Sequence, residues 1–173
     1  MENHTIRKAV TADAKFISLL AKINFSEAYG NLFHSKKKLR TYINNVFSIE
    51  KIKTSLEKEE NIFWIAFVGD LPVGYAKLKK NSPVPNTNFN NAAELQKVCI
   101  LKEYIIESNG RQLKADFFKE IQQLQIHRVW LREIYINEKT LNFYRTHNFH
   151  KYDSHSFSIE KEDFVFNIMM KTF

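Results

Sequence analysis

The sequence predicts a mixed α/β fold whose elements run β-α-α-β-β-β-α-β-α-β-β. Three observations predict it. Apolar residues recur at helical spacing between residues 16 and 56. They then fuse into the unbroken β-prone run Ile62–Val68. After that run, strand-like and helix-like stretches alternate to a closing pair of strands.

Thr5–Val10 reads as the first strand, and Thr11 can cap the helix after it, with Asp13 in the first turn where a carboxylate suits the helix dipole. Phe16, Leu19, Leu20 and Ile23 fall at i, i+3, i+4 and i+7, the stripe of a helix packed on one face. Leu39, Tyr42, Ile43, Val46 and Phe47 form a second stripe, and Ser48 caps a third helical piece carrying Ile49, Ile52 and Leu56. Ile62–Val68 lacks alternation, as a strand buried on both faces should. Gly69-Asp70 makes a turn, and Val73–Lys79 returns as the second arm of a hairpin. Pro83, Pro85 and the surrounding asparagines mark residues 82–91 as a loop before the strand Glu94–Leu101. Leu113, Phe117, Ile121 and Leu124 mark a helix after Gly110. Arg128–Ile136 then reads as a strand, Glu138–His147 as a short helix, and Phe149–Phe157 and Phe164–Lys171 as the closing strands.

At 173 residues without a linker or repeat, residues 1–173 are expected to form a single domain. No stretch approaches the roughly 20 apolar residues of a membrane span, and Met1–Ala9 lacks the apolar core of a signal peptide, so the expected location is cytoplasmic. The lone Cys99 excludes an internal disulfide, and the histidines form no spaced metal set. The net charge of +7 is scattered, and its densest cluster, Lys36-Lys37-Lys38, opens an amphipathic helix; no nucleic-acid partner is expected.

The segment Asn137-Glu-Lys-Thr140-Leu-Asn-Phe143-Tyr144-Arg-Thr-His-Asn148-Phe149 is similar to the Asn-x-x-Ala-x-x-Phe-Tyr-x-x-x-Gly-Phe segment of the GNAT superfamily of acyl-CoA-dependent N-acyltransferases. Asn148 replaces a glycine there, and Asn is the residue best able to take left-handed geometry after a helix. Glu94–Tyr104 resembles the fourth strand of that family and the loop leaving it, and Gly74-Tyr75-Ala76 resembles its return strand. The likeness runs over essentially the whole chain. It implies the GNAT fold: a mixed, mostly antiparallel sheet flanked by helices. Phe47–Leu56, Trp130-Leu131 and His155-Ser156-Phe157 most resemble the bacterial spermine/spermidine branch.

The resemblance implies an N-acetyltransferase with acetyl-CoA as cosubstrate and a small amine, such as a polyamine, as acceptor. A primary amine near pKa 10 must lose a proton before attack, the carbonyl oxygen needs fixed donors, and the leaving thiolate needs a proton. Glu94 is the expected base, although it also reads as a strand-end carboxylate facing solvent or paired with a lysine. Backbone N–H groups at Val98, Cys99 and Ile100 are the expected oxyanion donors and partners of the pantetheine arm, with the Cys99 side chain a small buried apolar group. Tyr144 is the expected general acid, and Asn137 contacts the cofactor or simply caps its helix.

Where the family carries Gln/Arg-x-x-Gly-x-Gly/Ala for pyrophosphate, this chain carries Ile105-Ile106-Glu107-Ser108-Asn109-Gly110. Ser108, Asn109 and Gly110 suit a helix start, while Arg111 and Lys114 can supply cationic contacts. The altered loop leaves a second reading open, a scaffold that binds partners without catalysis. A polyamine also needs local carboxylates, for which Glu27, Glu133 and Asp153 are candidates. Alternation at Phe164, Phe166, Ile168 and Met170 permits a homodimer and equally fits a strand packed on its own core.

Overall fold

The computed structural model describes residues 4–89, 91–105, 108–134, 138–159 and 162–173. Its elements are β1 (His4–Lys8), α1 (Ala14–Tyr29), α2 (Lys36–Val46), α3 (Ile49–Leu56), β2 (Asn61–Val68), β3 (Leu71–Lys79), β4 (Ala92–Ile100), α4 (Lys102–Ile105), α5 (Ser108–Gln122), β5 (Arg128–Ile134), α6 (Glu138–Thr146), β6 (His150–Ile159) and β7 (Glu162–Thr172). One seven-stranded sheet carries the order β1-β2-β3-β4-β5-β7-β6. Every neighbouring pair is antiparallel except β4 and β5, which run parallel because α4 and α5 carry the chain back between them.

Each face of the sheet has its own core. On one, α5 and α6 pack Phe117, Phe118, Ile121 and Leu141 onto Trp64, Ala76, Leu95 and Leu131. On the other, α1 and α3 pack Ile17, Leu20, Phe25 and Ile52 onto Phe63, Ile65, Tyr75 and Ile134. β2 and β3 are covered on both sides, which accounts for the unbroken apolar run of residues 62–68. Among the described residues no helix is long and apolar enough to cross a membrane.

Several local expectations hold. Ser48 caps α3 by accepting from the Lys51 N–H at 3.3 Å. Gly69 turns the β2–β3 hairpin at φ +57°, and Asn148 takes φ +64° after α6, the left-handed geometry read from its place in the motif. The sheet also needs Gly74: a Cβ there would lie 2.6 Å from the Cys99 carbonyl oxygen, so β3 and β4 approach too closely for a side chain.

Other expectations are corrected. The first strand ends at Lys8, and Thr11–Asp13 forms a 3-10 turn ahead of α1. Asp13, not Thr11, organises this entry: its carboxylate accepts from the Val10 N–H at 2.8 Å and from both terminal nitrogens of Arg7 at 2.7 and 2.8 Å. The Arg7 guanidinium holds that carboxyl below its ordinary range. The buried face of α1 is Ala14, Ile17, Ser18, Leu20, Ala21 and Phe25; of the expected stripe Leu20 is buried, Phe16 and Ile23 are half-buried, and Leu19 is 57% exposed. The inward face thus overlaps the expected stripe at Leu20 and turns Leu19 outward, a rotation that the 3.6-residue period leaves open. The three helical pieces read before β2 are three separate helices, where the predicted element order counts two, and the four-residue α4 is a helix that the sequence did not signal.

Candidate active site

The site begins where β4 and β5 part. Their register holds at Ala92–Arg128, Ala93–Val129 and Glu94–Trp130, and no pairing follows among the described residues. A bulge in β4 accompanies the separation. Lys77 faces Lys97 but Leu78 faces Leu95, so Gln96 is the extra residue that bends the strand away. Beyond the bulge, Leu101 N–H donates to the Val73 carbonyl at 2.9 Å. The alternation of an antiparallel ladder then turns the Cys99 amide toward β3 and the amides of Val98 and Ile100 toward the gap. The Ile100 carbonyl, on that open side, accepts from Asn24 Nδ2 at 3.4 Å.

A cavity of about 60 Å³ lies in the gap, lined by residues 95–99, Arg132, Glu133, Tyr144 and side chains of α1. Tyr144 is buried there, projecting from α6. Burial, with Glu133 and Cys99 nearby, drives its phenol well above the ordinary tyrosine value, so it stays protonated. Glu133 is itself buried and accepts from the Tyr29 hydroxyl and the Ile134 N–H, each at 3.2 Å. Cys99 is buried opposite Tyr75 in the β3–β4 ladder, and burial raises its thiol, which suits a packing residue and not a thiolate nucleophile.

A larger cavity of about 510 Å³ lies between the sheet and α1–α3 and shares Tyr29, Tyr75, Gln96, Lys97 and Arg132 with the small one. Phe25, Tyr29, Tyr42, Phe47 and Ile52 form its helical wall, and Phe63, Tyr75 and Phe166 line its sheet side. Among the described residues its charged groups are Lys51, Lys77, Lys97 and Arg132 against the carboxylate of Glu94, with His155 at the same surface. Glu94 is buried. One of its oxygens accepts from Arg132 Nε at 3.1 Å and from a terminal nitrogen at 2.5 Å, and the other accepts from Gln96 Nε2 at 2.8 Å. This ion pair joins β4 to β5 just past their last register pair. The carboxylate therefore has a partner, an arginine instead of the lysine considered from sequence. Lys77 is half-buried over the Phe63 ring, and burial pushes its ammonium down to about 8.

The structure brings Val98, Cys99 and Tyr144 to the small cavity and Glu94 to the large one beside it, while the Ile100 side chain is buried in the core and lines neither. Ser108, Asn109, Gly110 and Arg111 lie in the first turn of α5. Ile106, Glu107 and Asn137 lie outside the described residues. Lys114 is partly buried over the Phe143 ring at 4.4 Å, near Glu133. Of the three carboxylates expected around a cationic acceptor, Glu133 lines the small cavity. Glu27 is exposed on α1, and Asp153 accepts from Asn86 Nδ2 at 3.3 Å near the β6 bulge, away from both cavities. Sequence reasoning missed Lys77, Lys97, Arg132 and the aromatic wall. The available signal was strand parity, which puts Tyr75 and Lys77 on one face. Among the described residues no cluster of three or more His, Cys, Asp or Glu is placed to hold a metal. Phe166, Ile168 and Met170 pack on the chain's own cores, and β7 lies inside the sheet with β6 at the edge.

Residues 26–149 match the acetyltransferase (GNAT) family. Among curated proteins none matches the chain by sequence. Solved structures share the fold at low identity. The PaiA N-acetyltransferase of Thermoplasma acidophilum, crystallised with coenzyme A, is 22% identical with a TM-score of 0.76 over 99% of each chain. A probable acetyltransferase of Staphylococcus epidermidis is 20% identical with a TM-score of 0.73, covering 98% of this chain and 99% of its own. The spermidine/spermine N-acetyltransferase SpeG of Vibrio cholerae is 14% identical with a TM-score of 0.66, over 98% and 95%.

Proposed function

Because the chain belongs to the acetyltransferase (GNAT) family, we propose that it moves an acetyl group from acetyl-CoA to a primary amine by direct attack in a ternary complex. The observation that supports this reading is the wall that the two cavities share. Tyr144 stands in the small one and Glu94 in the large one, and both are lined by Tyr29, Tyr75, Gln96, Lys97 and Arg132.

The residues present fit the coenzyme. The open amides of Val98 and Ile100 offer an unpaired strand edge for an extended pantetheine arm. The first turn of α5, Ser108–Gly110, presents N–H groups that lack helical acceptors, a natural seat for phosphate. Acetyl-CoA, when bound, supplies the thioester carbon that the amine attacks and the sulfur that leaves.

Glu94 accepts the amine proton, directly or through one water, held in place by Arg132 and Gln96. The N–H groups on the open side of β4 donate to the carbonyl oxygen as it gains charge. Tyr144, kept protonated by its burial, donates to the departing sulfur.

The finer acceptor implied by the resemblance, a polyamine, would draw on carboxylates facing the cavity. Among the described residues Glu94 is the one carboxylate lining the large cavity, and its oxygens already serve Arg132 and Gln96. This lining supports a primary amine as the class and gives a polycation little to bind.

Calorimetric titration with acetyl-CoA is the first test, and binding in the micromolar range is expected. Thiol release with a panel of amines follows. Tyr144→Phe should lower kcat about 10- to 100-fold with the KM for acetyl-CoA little changed; unchanged turnover across pH would remove Tyr144 from the mechanism. No coenzyme binding at millimolar concentration would instead favour the non-catalytic scaffold that the altered loop sequence left open.

A further inference from the structure

Resting on the acetyltransferase reading, we infer that the acceptor amine carries an anionic group of its own, a carboxylate or a phosphate, and that Lys77 and Lys97 bind it. The large cavity is an aromatic box with a surplus of positive charge. Among the described residues, three lysines and an arginine face one carboxylate, and Arg132 is already engaged with that carboxylate. Among the described residues, Lys51, Lys77 and Lys97 make no ion pair.

The register makes this arrangement specific. Lys77 and Lys97 are direct cross-strand partners on β3 and β4, beside the bulge at Gln96. Like charges directly opposite one another in a ladder destabilise it. Both side chains nevertheless line the same cavity. Lys77 is half-buried, and its ammonium is disfavoured first by burial and then by Lys79, Lys97 and Lys58, with Glu94 the one charge acting the other way. An anion seated between Lys77 and Lys97 would relieve both the burial cost and the mutual repulsion. A polyamine would add further positive charge to a site already in surplus. Tyr42, Phe47 and Ile52 opposite offer an apolar surface for the body of the acceptor.

The test uses the full chain saturated with coenzyme A, so that the coenzyme's own phosphates do not compete for the lysines. Calorimetry compares reaction products in matched pairs: N-acetylphenylalanine with N-acetylphenethylamine, N-acetylphosphoethanolamine with N-acetylethanolamine, and acetylspermidine alongside. The anionic member of one pair should bind at least about tenfold tighter than its neutral partner, and which pair shows it separates carboxylate from phosphate. Lys97→Met and Lys77→Met should abolish the preference, and Lys97→Arg should retain it. The matching kcat/KM ratio for the unacetylated amines should fall in the same variants. Equal binding of both members of each pair, tighter binding of acetylspermidine, no binding of either anion at millimolar concentration, or a preference that survives both methionine variants would each overturn the inference. Acetyl transfer to amines without the anion preference would sink this inference alone. A lysine-dependent preference with no transfer to any amine would sink the enzymatic reading alone.

Discussion

Lys77 sits on a strand whose neighbouring positions, Ala76 and Leu78, are fully buried, and only its pairing partners and the cavity beside it explain a cation there. Its ammonium titrates at about 8 in the folded chain against 10.5 ordinarily. Between those values the unfolded chain binds a proton that the folded chain does not, so stability falls as pH drops from 10.5 to 8 and stays lower below that. Lys77→Met should therefore stabilise the protein by about 1–3 kcal/mol at pH 7, and this gain should shrink to its packing component above about pH 10.5. Urea denaturation of both proteins at pH 7 and at the alkaline end checks it. A gain independent of pH would mean that the lysine is comfortable where it lies. The same variant is expected to gain stability and lose anion binding, as befits a binding site that is strained when empty of charge.

At the scale of elements, β3 and β4 do most of the positioning. Gly74 lets them close together, and the bulge at Gln96 then turns β4 away from β5. Gly74→Ala would drive a Cβ to 2.6 Å from the Cys99 carbonyl oxygen. The strands would have to separate at the start of the open amides, and a loss of about 1–3 kcal/mol is expected. A weakening of acetyl-CoA binding should accompany it. An unchanged denaturation midpoint would show that the β3–β4 contact yields easily and does not fix the gap. The Gly74-Tyr75-Ala76 stretch was legible in the sequence, and so was the left-handed Asn148 after α6, because each depends on local chain geometry. The bulge was not legible. It depends on how Lys77, Leu78, Leu95 and Lys97 find partners across two strands, and no residue in β4 announces it.

For the whole molecule, three register pairs and the Glu94–Arg132 ion pair join the β1–β4 side of the sheet to the β5–β7 side at this seam. A ligand seated in the gap would bridge the two. Acetyl-CoA at 100 times its Kd should raise the unfolding free energy by about 2.7 kcal/mol. Thermal unfolding at increasing coenzyme concentration measures this, and hydrogen exchange should slow at the Val98 and Ile100 amides. Stabilisation without protection of those two amides would place the coenzyme elsewhere on the fold.

The sequence by itself determined the order of the strands, the membership that the Phe143-Tyr144 segment carries, and the turn at Asn148. These follow from periodicity and from residues that few backbone geometries tolerate, and both signals are local. It did not determine the full inward face of α1, since the 3.6-residue period fits two overlapping faces and packing on the sheet buried Leu20 with Ile17 and Phe25 and left Leu19 outside. Nor did it determine the sign of the acceptor cavity. Carboxylates that looked available in the sequence went to the surface, to a loop contact or to an arginine, while lysines from α3, β3 and β4 converged on one space. Charge at a site is a sum over residues distant in sequence, and only the tertiary structure performs that sum.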